Sequence, residues 1–285
     1  MNRLFFGALL FSILIFVSCQ KEIDWGLGGG NTVSQILVRV KSQTGTDTSQ
    51  LDYYYDANKR IIRELTNGIG GGQNLNNDLI ITRNASGIIT KTVQKAASLL
   101  AAGIDSVITM YNYSTATSKY TSSVFQLGIP GFTVMDSAVY TYDVSGKISK
   151  DEHYLQVSGL PIPVPPVLIA RNIYSYSADG RNLLGVATDA AIPPATTLSP
   201  ATAQTYTVDT KFNPLIILNE AVLLNRVGLF NANNSAKAVV TNTIDPTQDF
   251  TMDYTYKYNS ANKPDSSYGT RTPGGAVTAA KYFYQ

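Results

Sequence analysis

The sequence predicts an all-β protein. We expect an antiparallel up-and-down meander of β-hairpin repeats, about 14 to 17 strands in one large curled or barrel-like sheet. Three observations predict it. Strand formers dominate the composition, with 18 tyrosines and only 15% charged residues against a globular norm of about 25%. A Tyr-x-Tyr turn motif recurs along the chain. Its flanks alternate with period two.

The motif stands in four stretches: "YYYDANKRI" with Tyr53 and Tyr55, "YTYDVSGKI" with Tyr140 and Tyr142, "YSYSADGRN" with Tyr174 and Tyr176, and "YKYNSANKP" with Tyr256 and Tyr258. "TRNASGIIT" from Thr82 keeps the turn without the tyrosines, and "YTVDTKFNP" from Tyr206 and "YNYSTATSK" from Tyr111 are looser copies. Asp, Asn or Ser opens each turn, and its side chain accepts a backbone N–H two residues on. Gly87, Gly146 and Gly180 then supply the left-handed conformation that a bulged hairpin loop needs. Asn262 tolerates that conformation in the last copy, while Lys59 breaks the pattern unless Asn58 takes the position and shifts the loop. The paired tyrosines read as cross-strand ladders that fix register rather than as sugar-stacking platforms.

In "SQLDYYYD", Leu51, Tyr53 and Tyr55 share one face while Asp52 and Tyr54 take the other. Turns are expected near residues 56, 84, 115, 143, 177 and 209, so the unit is a hairpin of about 30 residues. The tight turns should line one end of the sheet and the longer connections the other. Those connections are apolar: "KAASLLAAGI", "QLGIPGFTV", "VSGLPIPVPPV" and "NEAVLLNRVGLFNANNS" carry Leu99, Leu100, Ile104, Ile129, Phe132, Ile162, Val164, Leu223, Leu224 and Phe230. Leaving all of them in water is unfavourable at about 25 cal/mol per Å². They are expected to fold over an open end, with a ligand or partner surface as the other reading. Past residue 220 the spacing stretches, which predicts an extra hairpin or a short helix.

No catalytic constellation stands out, so no enzyme activity, cofactor or metal is expected. His153, the single histidine, follows Asp151 and Glu152, and adjacent strand residues face apart. "GIGGG" lacks the Lys-Ser/Thr and the strand-helix setting of a phosphate loop. "NNDLI" and "TIDPTQD" lack regular calcium-ligand spacing. The net charge of +2 leaves no basic footprint for nucleic acid.

The first 19 residues, "MNRLFFGALLFSILIFVSC", place an uncharged apolar run after Arg3, shorter than a bilayer-spanning helix. "FVSC" resembles a bacterial lipobox, with Phe16 where that family usually has Leu. The resemblance implies cleavage before Cys19 and acylation of its thiol. The following "QKEID" is similar to the acidic export signal of Bacteroidota surface lipoproteins, with Gln20, Lys21, Glu22 and Asp24 in the signal. Several acyl chains anchor a domain stably without a transmembrane helix. With Cys19 consumed, no disulfide is possible.

The hairpin motif resembles YD-type repeats of bacterial cell-surface and Rhs-like proteins, and repeat lipoproteins of the Bacteroidota. The organisation that follows is a signal peptide over 1–18, a lipidated Gly-rich tether over 19–34 and one β-repeat domain over 35–285. The expected role is binding or structural, at the outer membrane through the lipid anchor and exposed at the cell surface. A glycan or an outer-membrane protein is the expected partner. The alternatives are an integral outer-membrane β-barrel and a glycan-active hydrolase or glycan-binding accessory protein.

Overall fold

The computed structural model describes residues 36–129, 132–159, 165–191, 197–213, 220, 222–224 and 231–285. Cys19, Gln20, Lys21, Glu22, Asp24, Ile162, Val164 and Phe230 lie outside the described residues, as do the tether and leader.

Among the described residues the chain forms 17 strands in one sheet, all paired antiparallel. They are β1 (Leu37–Thr44), β2 (Asp47–Tyr55), β3 (Ile61–Gly70), β4 (Gln73–Asn74), β5 (Asn77–Arg83), β6 (Ile89–Ala96), β7 (Val107–Ser114), β8 (Lys119–Ile129) and β9 (Phe132–Tyr142). The second half holds β10 (Ile148–Ser158), β11 (Val167–Tyr176), β12 (Leu183–Ala190), β13 (Ser199–Phe212), β14 (Asn233–Asn242), β15 (Phe250–Tyr258), β16 (Pro264–Thr272) and β17 (Val277–Tyr284). Each strand pairs with its sequence neighbours, and β1 also pairs with β17, so the sheet closes on itself. β4 and β5 both pair with β3 and share one place, which gives a sixteen-stranded closed barrel. Closure removes the open edges that an unpaired sheet would present.

Sequence dictates the tight turns closely. Asp56 accepts the backbone N–H groups of Asn58 and Arg60 at 2.9 Å, and Asp143 and Asn259 repeat this with Ser145 and Lys147, and with Ala261 and Lys263. The fourth residue of each turn is left-handed: φ is +88° at Gly87, +82° at Gly146, +67° at Gly180 and +58° at Asn262. Lys59 itself takes φ +63°, so Asn58 does not replace it and the loop does not shift. Five carboxylate and backbone hydrogen bonds around Asp56 hold the lysine there. Just past each turn an apolar residue plugs the interior: Ile61, Ile89, Ile148, Leu183 and Pro264 are all buried.

One expectation is corrected. "YTVDTKFNP" makes no turn at residue 209, because β13 runs on to Phe212. The long connection after it therefore lies at the tight-turn end, where alternation of a meander puts it, and not with the other long loops. "KAASLLAAGI" contains a short helix, α1 (Ala97–Ala101), whose Leu99 packs with Ile104, Val107 and Leu127 over the opposite end, while Leu100 stays exposed.

Candidate functional site

Register fixes what each face of the barrel carries. Residues paired across strands share a face, and the buried set Leu51, Tyr53, Ile61, Leu79, Ile81, Tyr174 and Tyr206 marks the inside. The half of the interior nearest the tight turns is dense with Tyr, Leu and Ile. There the second tyrosine of a motif ties its strand to the one before it. Tyr55, Tyr142 and Tyr176 donate to the carbonyls of Leu37, Tyr120 and Ile148 at 2.5, 2.9 and 2.9 Å. In the last copy the first tyrosine, Tyr256, donates to the Ser235 carbonyl of the strand before, while Tyr258 bonds Asp209 two strands back on β13. Of the first tyrosines, Tyr140 meets Ser123 at 2.7 Å and Tyr174 donates to Asp151 at 2.7 Å. Burial pushes the Tyr142 hydroxyl up to about 12, partly offset by its bond to the Tyr120 carbonyl.

The β13–β14 connection enters this packed half. Glu220 accepts from Nη1 and Nη2 of Arg83 at 2.7 Å, and Arg83 also donates to the Ile61 and Gly87 carbonyls. Tyr111 donates to the Leu223 carbonyl at 2.8 Å, and Val222, Leu223 and Leu224 are buried. Asn231 accepts the Leu183 N–H at 2.6 Å. Its described residues, Glu220, Val222, Leu223, Leu224 and Asn231, pack into the tight-turn end as a floor.

Above the floor sits a polar network that the sequence reading missed. His153 Nδ1 lies 3.0 Å from Asp136 and Nε2 lies 3.3 Å from Asp151. Asp151, 4% exposed, also accepts from Tyr174 and from Asn172 at 2.8 Å, and Asn172 in turn accepts from Thr188 at 2.7 Å. Asp151 and His153 share a face because they stand two apart in β10, and Asp136 reaches them from the neighbouring β9. Burial alone would lower the imidazole pKa, but the hydrogen bonds and charges of Asp136 and Asp151 prevail and raise it to about 10. The ring is therefore an imidazolium clamped between two carboxylates. The i, i+2 spacing was readable; Asp136 was not, because it comes from another strand.

Towards the long loops the inner face of β1, β2, β5, β6 and β17 turns polar. Ser42 meets Ser49 at 2.6 Å, Thr44 meets Thr278 at 2.7 Å, and Gln94 donates to Asn77 at 2.9 Å. These residues are half-buried, whereas on the β6 to β9 side the same half is packed by Leu99, Ile104, Val107 and Leu127.

The outer wall is charged. Arg39 pairs with Asp52, Arg63 with Asp78, Arg171 with Glu152, and Lys237 with Asp253 across adjacent strands. Lys41 and Lys281 flank the ring of Phe283. The weak calcium candidates are engaged elsewhere: Asp78 holds Arg63, Asp245 caps a 3-10 turn over Pro246–Gln248, and Asp249 accepts the Asn242 N–H. "GIGGG" ends β3 and turns the chain, with Gly71 and Gly72 at φ +58° and +74°. Among the described residues, no group of three His, Cys, Asp or Glu side chains is placed to hold a metal ion.

No family model and no curated protein matches the chain. Its fold is similar to a porin-like protein from Bacteroides vulgatus ATCC 8482, at TM-score 0.52 and 11% identity over 88% of this chain and 99% of that one. A porin-like protein from Bacteroides uniformis ATCC 8492 also aligns, at TM-score 0.49 and 11% identity over 87% of this chain and 98% of that one.

Proposed function

We propose that this chain is a lipid-anchored barrel that stands in water at the outer membrane, with a binding or structural role and no catalysis of its own. The observation that supports it is the inverted wall. A membrane-spanning barrel turns an apolar band outward and a polar lumen inward. Here Lys41, Arg63, Glu152, Arg171, Lys237, Asp253 and Lys281 occupy the outer wall, and Tyr, Leu and Ile fill the interior. A lipid-facing Arg or Lys costs about 2–4 kcal/mol at the bilayer midplane, so burying this wall in lipid would cost on the order of 10 kcal/mol. Cys19 supplies the anchor and "QKEID" the route to the surface. The half-buried hydroxyl and amide groups at the long-loop end, such as Ser42, Thr44 and Gln94, are offered to a partner, a glycan or an outer-membrane protein.

The test is detergent phase separation. The full chain should enter the detergent phase, and residues 20–285 made without the leader should fold and stay in the aqueous phase. Aggregation of residues 20–285 without detergent would sink the proposal.

A second reading, an integral outer-membrane barrel, draws on the likeness to porin-like proteins and on the even strand number. Both ends of the described chain also lie at the short-turn end, where Ile36 and Gln285 exchange backbone hydrogen bonds. That reading predicts that residues 20–285 fold only in micelles or bilayers.

A further inference from the structure

The outer wall is not uniform. Over β5 to β9 its charges thin out and apolar side chains take their place. Ile80, Val93 and Ile108 form one cross-strand row, and Met110 and Val124 lie beside each other in the next. Val139 extends the patch onto β9, and Ile80, Met110 and Val139 are each at least 40% exposed. Five strands at about 4.8 Å make this face roughly 20 Å across. Contiguous apolar faces of that size mark interaction surfaces. Its carboxylates are engaged, since Glu152 opposite Val139 is held by Lys150 and Arg171, and the remaining charges are basic. Lys91 lies beside Met110, and Lys95 lies opposite an Asp78 whose carboxylate is already taken by both Arg63 nitrogens. No acidic partner is paired with Lys91 or Lys95 among the described residues.

We infer that this face rests on an anionic phospholipid surface, with the barrel lying on its side. The inference builds on the lipid-anchor reading, which puts a membrane within reach. The stretch between Cys19 and Ile36 spans at most about 60 Å, enough to let any side of the barrel meet the bilayer that holds the anchor. An apolar surface set with lysines is the chemistry of an interfacial contact, in which apolar groups enter the headgroup boundary and cations meet anionic lipid. A second copy fits less well. A two-fold contact through this face would bring Lys91 and Lys95 of both copies together, and like charges at an interface disfavour pairing.

The test uses residues 20–285, which contain the whole closed ring and carry no acyl chain. They are spun with vesicles of phosphatidylcholine alone or mixed with phosphatidylglycerol. Binding to the mixed vesicles is expected, weakened by salt. The double change Lys91→Glu and Met110→Asp should reduce it about tenfold or more, given roughly 1 kcal/mol per cation near such a surface plus the lost apolar insertion. Val239→Asp on β14, across the barrel, should leave it unchanged. Circular dichroism checks that both variants fold. Wild-type protein that stays in the supernatant, or equal binding by all three, overturns the inference. So does a dimer in sedimentation velocity that the double change dissolves, since the face would then belong to a second copy. Failure of the anchor itself shows separately, as loss of the full chain from the detergent phase.

Discussion

His153 makes stability depend on pH in a direction that the geometry fixes. The hydrogen bonds and charges of Asp136 and Asp151 raise its folded pKa to about 10 from the usual 6.5 of histidine. The stabilisation is therefore fully present below pH 6.5 and drains away as pH rises towards 10. Each unit is worth about 1.4 kcal/mol, so the full shift sets a ceiling near 5 kcal/mol. The ring is 26% exposed, and solvent screening returns part of this. We expect a loss of about 1 to 2 kcal/mol between pH 6 and 8.5, below the range in which unfolded tyrosines ionise. The assay is urea unfolding of residues 20–285 across that range, beside His153→Gln. Wild type should lose stability steadily with rising pH, and the variant should run nearly flat. Parallel profiles for the two proteins would refute the clamped imidazolium.

Arg83→Leu should cost about 3–5 kcal/mol, because it strands the Glu220 carboxylate in the packed half; adding Glu220→Leu should recover much of that, and urea midpoints read both. Tyr176→Phe should cost about 1 kcal/mol by orphaning the Ile148 carbonyl, as seen in chemical unfolding. Lys59→Gly should raise the thermal midpoint, since a side chain at φ +63° carries roughly 1–2 kcal/mol of strain, and Gly146→Ala should lower it. Leu183→Ala, at a site 1% exposed, should cost about 2–5 kcal/mol in the same unfolding assay.

Local chemistry made the hairpins legible. The Asp, Asn or Ser opener and the left-handed fourth residue stand within five residues of each other, so their bonds could be read before any fold was known. The letter after the turn, the Ile of "YYYDANKRI" and "YTYDVSGKI", repeats because it is the first inward residue of the returning strand. Period two also sorted Leu51, Tyr53 and Tyr55 from Asp52 and Tyr54. Ring closure was not legible, because β1 and β17 meet across more than two hundred residues and no local pattern marks that pairing. The position of the β13–β14 connection was missed because a false turn at residue 209 upset the count of strands. The His153 network was missed for a related reason. Asp136 is 17 residues away in sequence, and only the β9–β10 register brings it beside the ring.

A lipid-anchored barrel keeps its outer wall in water in the native envelope. The direct measurement is lysine labelling in isolated membranes with a water-soluble amine reagent, read residue by residue by mass spectrometry. Lys41, Lys237, Lys257 and Lys281 stand on the outer faces of β1, β14, β15 and β17, away from the apolar side. They should label as fast in the membrane as in residues 20–285 free in solution. Protection of all four until detergent is added would mean that lipid surrounds the wall, and the barrel would then span the membrane.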